Sequence, residues 1–270
     1  MSDSGKKIRL RRVLGNPGRG ALVVAFDHAL VLGPIPGTDD PLGKIRHFAE
    51  AGVDAVLLNL GLLRQYAQSP LDVCLPAFIA RIDWTTVWAV LQSGAGELQS
   101  RLLARPEEAL RHGADAVITY MVIGTGDADF EAKEIARTAD VARECEQVGI
   151  PLLVESLARG KPVDNPSDPK WLKLHTRMAV ELGADAIKTD YSGNSVSMRS
   201  VTEACPIPIL VLGGSRQGSD EDALAVVRGA AQAGAAGVFF GRNVFQSQDM
   251  DSFLRQARSI LDTGAPSPAS

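Results

Sequence analysis

AGVDAVLL (51–58), HGADAVITY (112–120), VGIPLLVES (148–156), LGADAIKTD (182–190) and GAAGVFFG (234–241) repeat one phrase along the chain: a glycine, a few residues, then a short apolar run. Glycine supplies the left-handed cap that stops a helix, and the run after it is too short and too rich in β-branched residues to begin another. Each phrase therefore marks a junction from helix to strand. Strands of the same kind fit ALVVAFD (21–27), PAFIARID (76–83) and PIPILVLGG (206–214), where proline or glycine marks the edges.

Helical periodicity fills the intervals, as in DFEAKEIARTADVARECEQVG (129–149) and SDEDALAVVRGAAQAG (219–234). Asp129 and Ser219 are the expected N-caps, with acidic residues in the first turn complementing the helix dipole. Strands alternating with helices imply a parallel sheet covered by helices. Eight candidate strands in 270 residues fit a closed (β/α)8 barrel better than a doubly wound sheet. The glycine-rich GxGxxG turn expected after the first strand of the latter does not follow Asp27. The expected organisation is an N-terminal helical extension over 1–20, one α/β barrel over 21–264 and a disordered tail over 265–270.

Composition narrows the function. Lys and Arg number 28 against 32 Asp and Glu, for a formal net charge of −4, so no cationic excess marks a dedicated nucleic-acid binder. The basic KIRLRR (7–12) is expected to be a solvated helix face closing the bottom of the barrel. No apolar run reaches the ~18 residues of a membrane span, and the N-terminus lacks the apolar core of a secretory signal. Three scattered cysteines, Cys74, Cys145 and Cys205, form neither a disulfide framework nor a CxxC metal site, so a reducing cytoplasm is the expected location. No HExxH or similar cluster suggests a metal.

On a barrel of this kind, catalytic groups gather at the C-terminal ends of the strands. Lys188 stands out because it interrupts the apolar strand DAIKTDY. Two readings apply. Desolvation favours the neutral amine, which can attack a carbonyl to form a Schiff base; alternatively the lysine is simply paired with Asp190 or another carboxylate. VLGGSR (211–216) and FFGRNVFQ (239–246) place glycine-rich turns where the seventh and eighth strands end, a common phosphate site in barrels, with Gly213, Gly214, Ser215, Arg216, Gly241 and Arg242 as candidates. RIDWTTVW (81–88) puts Arg81, Asp83 and two tryptophans at the third strand end, as a substrate or second-phosphate wall or as plain packing. His47, His112 and His175 fall in helical segments and are expected at the surface or core edge.

Together AFDHALVLGP (25–34), IKTDYSG (187–193), LGGSR (212–216) and FGRNVFQ (240–246) resemble the class I aldolase family that groups archaeal-type fructose-bisphosphate aldolases, aminodideoxyheptulosonate synthases and the thiolase of phosphorylated autoinducer-2, the DeoC/LacD-like aldolases. The resemblance runs from about Leu22 to Asp262. It implies that Lys188 is the imine-forming lysine, that Asp27 assists proton transfers at the imine, and that Gly214, Ser215, Gly241 and Arg242 bind phosphate. His28 lies in the family's Asp-His-Gly phrase, with Ala29 in place of its glycine. It also implies a homo-oligomer and no cofactor beyond the covalent imine, with neither nucleic acid nor membrane as partner.

One departure matters. In the bisphosphate aldolases and heptulosonate synthases, the segment resembling LLVESLARGK (152–161) carries a tyrosine that acts as general acid/base, and here that place is Leu157. Glu155 and Tyr120 are the replacement candidates, Glu155 being equally a salt-bridge partner of Lys188. The expected activity is cleavage or formation of a carbon–carbon bond in a phosphorylated ketose through an imine on Lys188. The alternatives are a coenzyme A-dependent acyl transfer from a phosphorylated dione, and a silent barrel that only binds sugar phosphates.

Overall fold

The computed structural model describes residues 4–16, 18–69, 75–216 and 218–264. Cys74 and the tail 265–270 lie outside the described residues. Ten strands occur in chain order: β1 (Ala21–Ala25), β2 (Ala55–Asn59), β3 (Ala77–Arg81), β4 (Asp83–Thr85), β5 (Ser100–Leu102), β6 (Ala116–Ile123), β7 (Leu152–Ala158), β8 (Ala186–Thr189), β9 (Ile209–Leu212) and β10 (Gly237–Phe240). Eight of them close a parallel barrel in the order β1-β10-β9-β8-β7-β6-β3-β2, wrapped by helices. These eight are the strands expected from the sequence.

The two strands outside the barrel pair antiparallel, Asp83 with Leu102 and Thr85 with Ser100. The sequence reading ran the third strand on to Asp83, whereas the ladder stops at Arg81 and the chain leaves the barrel. Asp83 is still held to it, because its buried carboxylate accepts a hydrogen bond from Tyr120 N at 2.8 Å. Strands β6 and β7 run longer than expected, paired through Ile123 and Ala158.

Alternation along each strand sorts side chains into two sets. Leu22, Val24, Val56, Leu58, Val117, Val154 and Ile187 pack outward against the helices. Val23, Leu57, Ile79, Ile118, Leu153, Ala186, Leu210 and Phe239 form the barrel interior, where Val13 of the first helix (Ser4–Leu14) joins them with Leu10 and Leu14 alongside. That helix plugs the N-terminal end.

Lys6, Arg9 and Arg12 on it are engaged rather than freely solvated. The aspartate that recurs in the junction phrase explains why: Asp54, Asp115 and Asp185 each precede a strand, and each accepts a hydrogen bond from the backbone N–H of a neighbouring strand, at Leu22, Phe78 and Leu152. The same carboxylates hold cations: Arg258 and Arg19 on Asp54, Arg12 on Asp115 at 2.7 Å, Lys6 on Asp185 at 3.0 Å. Arg9 donates to Gly149 O. Asp54→Ala leaves two arginines and the Leu22 N–H without their acceptor, so it should cost about 3–5 kcal/mol, read from the shift in urea midpoint.

Helix caps follow the chemistry with one change. Ser219 accepts from Asp222 N while the Asp222 carboxylate accepts from Ser219 N, a capping box before Asp220–Gln232. The helix Ala128–Val148 is capped by Asp127, not Asp129: Asp127 has an extended backbone, which lets Oδ1 reach Phe130 N at 2.9 Å. Asp129 instead pairs with Lys133 one turn on. Among the described residues no helix is long and apolar enough to cross a membrane.

Candidate active site

The same alternation that fills the barrel with Ile79, Ile118, Leu153 and Ala186 brings Arg81, Tyr120, Glu155 and Lys188 inward two residues later, at the C-terminal end. Register makes Glu155 the direct neighbour of both Tyr120 and Lys188. Above them opens a cavity of about 590 Å³, whose walls include Asp27, His28, Tyr120, Glu155, Lys188 and the turns Gly213–Ser215 and Gly241–Arg242.

Lys188 Nζ lies 2.9 Å from Glu155 Oε1 and 4.7 Å above the Phe239 ring, and only 6% of the residue is exposed. Its carboxylate partner is Glu155 across the ladder, not Asp190. Asp190 is taken by Arg159 in a bidentate pair at 2.8 and 2.9 Å.

Arg81 is the hub beneath the cavity. Its Nε donates to Asp27 at 2.9 Å, one terminal nitrogen to Glu155 and the other to Asp83 at 3.5 Å, while its guanidinium lies 3.8 Å from the Tyr120 ring centroid. All its nitrogens are engaged and it is 3% exposed, so the structure puts it under the site rather than in a phosphate pocket. Asp83 also binds Arg137, which donates in turn to Tyr120 O and Glu134. Arg137 and Glu134 were missed from the sequence, because they come from the helix after β6.

Electrostatics follow from these contacts. Burial pushes the Asp27 carboxyl up, but the charges of Arg81 and Lys188 outweigh it and hold Asp27 at about 2. Burial acts likewise on Glu155, and Lys188 and then Arg81 overcome it, leaving a carboxylate below its ordinary range. Tyr120 goes the other way: burial lifts its phenol well above the usual value, so it stays protonated. Burial lowers His28, keeping the ring neutral near pH 7.

The late turns form the other wall. Asn243 Nδ2 donates to Gly213 O at 2.7 Å, tying the two turns together. Gly214 takes φ +64°, the left-handed region. A Cβ at Gly241 would lie 2.3 Å from His28 Cε1 and 2.8 Å from Ala25 O, so the ring is wedged under this turn and only glycine fits. Arg242 has no carboxylate within ion-pair distance among the described residues, and burial weakens its hold on the proton. Arg216, by contrast, points away to Asp220 at 2.7 Å.

Ala29 causes no distortion, since it opens the helical turn Ala29–Leu32. Leu157 is fully buried, packed with Val87, Tyr120, Val122 and Phe130, so apolar contacts fill the place of the absent phenol. Of the two tryptophans, Trp88 reaches the cavity, with its ring 6.2 Å from that of Tyr120. Among the described residues no group of three or more His, Cys, Asp or Glu side chains could hold a metal ion.

His175 is neither at the surface nor at the core edge: it is fully buried, Nδ1 lies 2.9 Å from Ser156 Oγ, and burial presses its pKa down to about 3. The unfolded ring takes a proton below ~6.5 while the folded ring does not until about 3, so stability falls as pH drops through that window. Asp27 acts in a second window. Its lowered folded value gives stabilisation that is present above the ordinary carboxylate range of ~4 and is lost as pH falls towards 2. Urea midpoints between pH 7 and 2 should therefore decline in two stages, with His175→Gln flattening the first and Asp27→Asn the second.

A closed parallel barrel with a buried lysine at its C-terminal mouth, beside carboxylates and facing glycine-rich turns, defines a class I, Schiff-base aldolase. The chain belongs to the DeoC/LacD family aldolases, whose profile matches residues 21–247. It is 34% identical over 264 residues to an uncharacterised aldolase of Saccharolobus solfataricus, covering 97% of this chain and 96% of that protein. It is 36% identical to the 2-amino-3,7-dideoxy-D-threo-hept-6-ulosonate synthase of Halobacterium salinarum, covering 91% and 87%. A solved Schiff-base-forming fructose-1,6-bisphosphate aldolase superposes with a TM-score of 0.83 at 30% identity, covering 95% of this chain and 99% of that one.

Proposed function

We propose that this class I aldolase cleaves or forms a carbon–carbon bond in a phosphorylated ketose, with Lys188 as the imine-forming residue. The observation that carries the assignment is the Lys188–Glu155 pair at the head of a barrel whose opposite wall is made by the glycine turns and Arg242. The 2.9 Å contact lets Glu155 take a proton from Nζ, freeing the lone pair that attacks the substrate carbonyl. The resulting carbinolamine loses its hydroxyl as water, with the proton returned by Glu155 and the developing positive charge of the imine facing the Asp27 carboxylate. In the cleavage direction a base removes the proton of the substrate hydroxyl, the adjacent carbon–carbon bond breaks, an aldehyde leaves, and its electron pair moves into the imine to give an enamine. Protonation at carbon and hydrolysis free the ketone and restore Lys188.

Glu155 is the base in this scheme, since it is ionised and already next to Nζ, while Tyr120, kept protonated, serves as a hydrogen-bond donor. Backbone N–H groups at Gly214, Ser215 and Gly241, with the unpaired Arg242, bind phosphate and hold the carbonyl near Lys188, so that binding energy serves orientation. His28 supports the Gly241 turn from below, and Gly213 anchors it through Asn243. Arg81 is a positioning residue that keeps Asp27 and Glu155 charged.

A homo-oligomer belongs to this reading, supported by apolar side chains on outer helices such as Leu174 and Val196, the latter 80% exposed. Cys145 and Cys205 are both free thiols, which suits the cytoplasm.

Borohydride reduction in the presence of dihydroxyacetone phosphate, followed by peptide mass spectrometry, tests the assignment. An adduct on Lys188 is expected, and its absence with every ketose phosphate tried would sink it. Adding coenzyme A to the same assay checks the acyl-transfer alternative, which requires an acetyl thioester product that depends on Lys188.

A further inference from the structure

The charges around the cavity are distributed unevenly, and they bear on what the aldehyde half of the substrate is. Four basic side chains line it: His28, Arg159, Lys188 and Arg242. His28 is neutral and wedged under Gly241. Lys188 is held by Glu155, and Arg159 by both oxygens of Asp190. Only Arg242, in the late turns, lacks a carboxylate among the described residues.

A phosphate brought to Arg159 would approach the Asp190 carboxylate as well, and that repulsion offsets most of the attraction to the guanidinium. The cavity therefore offers one anion site. Away from it Val31 and Leu32 from the short helix after β1, with Trp88 and Leu91 from the helix Val87–Ser93 inside the hairpin, form an apolar stretch of the wall, with Gln92 as the uncharged polar group beside it. Leu32 and Leu91 are 43% and 41% exposed, large apolar groups left at the rim of a polar site. Arg159 lies 5.7 Å from the Trp88 ring, which screens the ion pair on that side.

We infer that the enzyme takes a monophosphorylated donor and an uncharged, largely apolar acceptor aldehyde, which packs against Val31, Leu32, Trp88 and Leu91, and that it discriminates against a second phosphate. Burying alkyl or aryl carbon on this wall stabilises the complex, whereas a phosphate there loses hydration and gains no unpaired cation. The inference rests on the proposed aldolase site, so its test keeps the two apart.

Dihydroxyacetone phosphate is supplied as donor, Lys188 adduct formation is followed by borohydride trapping, and condensation is measured against propanal, phenylacetaldehyde, glycolaldehyde and glyceraldehyde 3-phosphate. The expected result is an adduct, with kcat/KM for the apolar aldehydes at least about tenfold above that for glyceraldehyde 3-phosphate. Leu91→Lys, at an exposed helix position, should add a free cation at the rim and narrow that ratio by about tenfold. An adduct accompanied by preference for glyceraldehyde 3-phosphate, or by no reaction with the apolar aldehydes, overturns the inference and leaves the aldolase site standing. Failure to form any adduct removes both.

Discussion

Lys188→Met should abolish turnover, a loss of about four orders of magnitude or more, while the barrel stays folded. Methionine matches the length of the lysine stem but has no nitrogen to form the imine. Lys188→Arg should be equally inactive, because a guanidinium stays protonated and cannot attack a carbonyl. Glu155 keeps Arg81 as a partner in both variants, so the stability cost should be only about 1–3 kcal/mol. Steady-state rates, the disappearance of the borohydride adduct and the urea midpoint together separate a lost nucleophile from a lost fold.

Arg81→Met should cost about 3–5 kcal/mol of stability, because it strands Asp27, Asp83 and Glu155 as buried carboxylates without their shared cation. Arg81→Lys should recover little, since one ammonium cannot reach three acceptors in the geometry of a planar fork. Activity should fall as well, and in a diagnostic way. With Arg81 gone, burial raises Asp27 and Glu155 against weaker opposition, so the acidic limb of the pH–rate profile moves to higher pH. An Arg81→Met enzyme with lower kcat but an unmoved acidic limb would show that Arg81 shapes the site without setting its charge.

Much of the site was legible residue by residue. Lys188 announced itself as a charge in an apolar strand, and the glycines of 213–214 and 241 as turns at strand ends. For Lys188 the sequence offered both Asp190 and Glu155 as partners, and the other pairings were not legible. Arg159 and Asp190 are 31 residues apart and meet only because β7 continues to Ala158, past the end of its phrase. Arg81 read as a binding residue, since an arginine at a strand end commonly faces the ligand. Its actual role depends on three carboxylates contributed by β7, the hairpin and the loop after β1. His175 gave no local sign of burial, because its position on the inward face of its helix depends on where that helix meets β7.

Local rules act over a few residues: glycine ends a helix, apolar runs form strands, and period two fixes which side chains share a face. By themselves they determined eight βα units, a barrel rather than an open sheet, and the set of residues at its catalytic rim. Which of those residues touch is settled by register and closure, through contacts between segments far apart in the chain. Only the closed barrel set Glu155 beside Lys188, drew Arg81 beneath both, and left Arg242 without a carboxylate among the described residues while tying Arg159 to Asp190. Charges respond to whatever lies within a few ångströms, and the tertiary structure alone decides that.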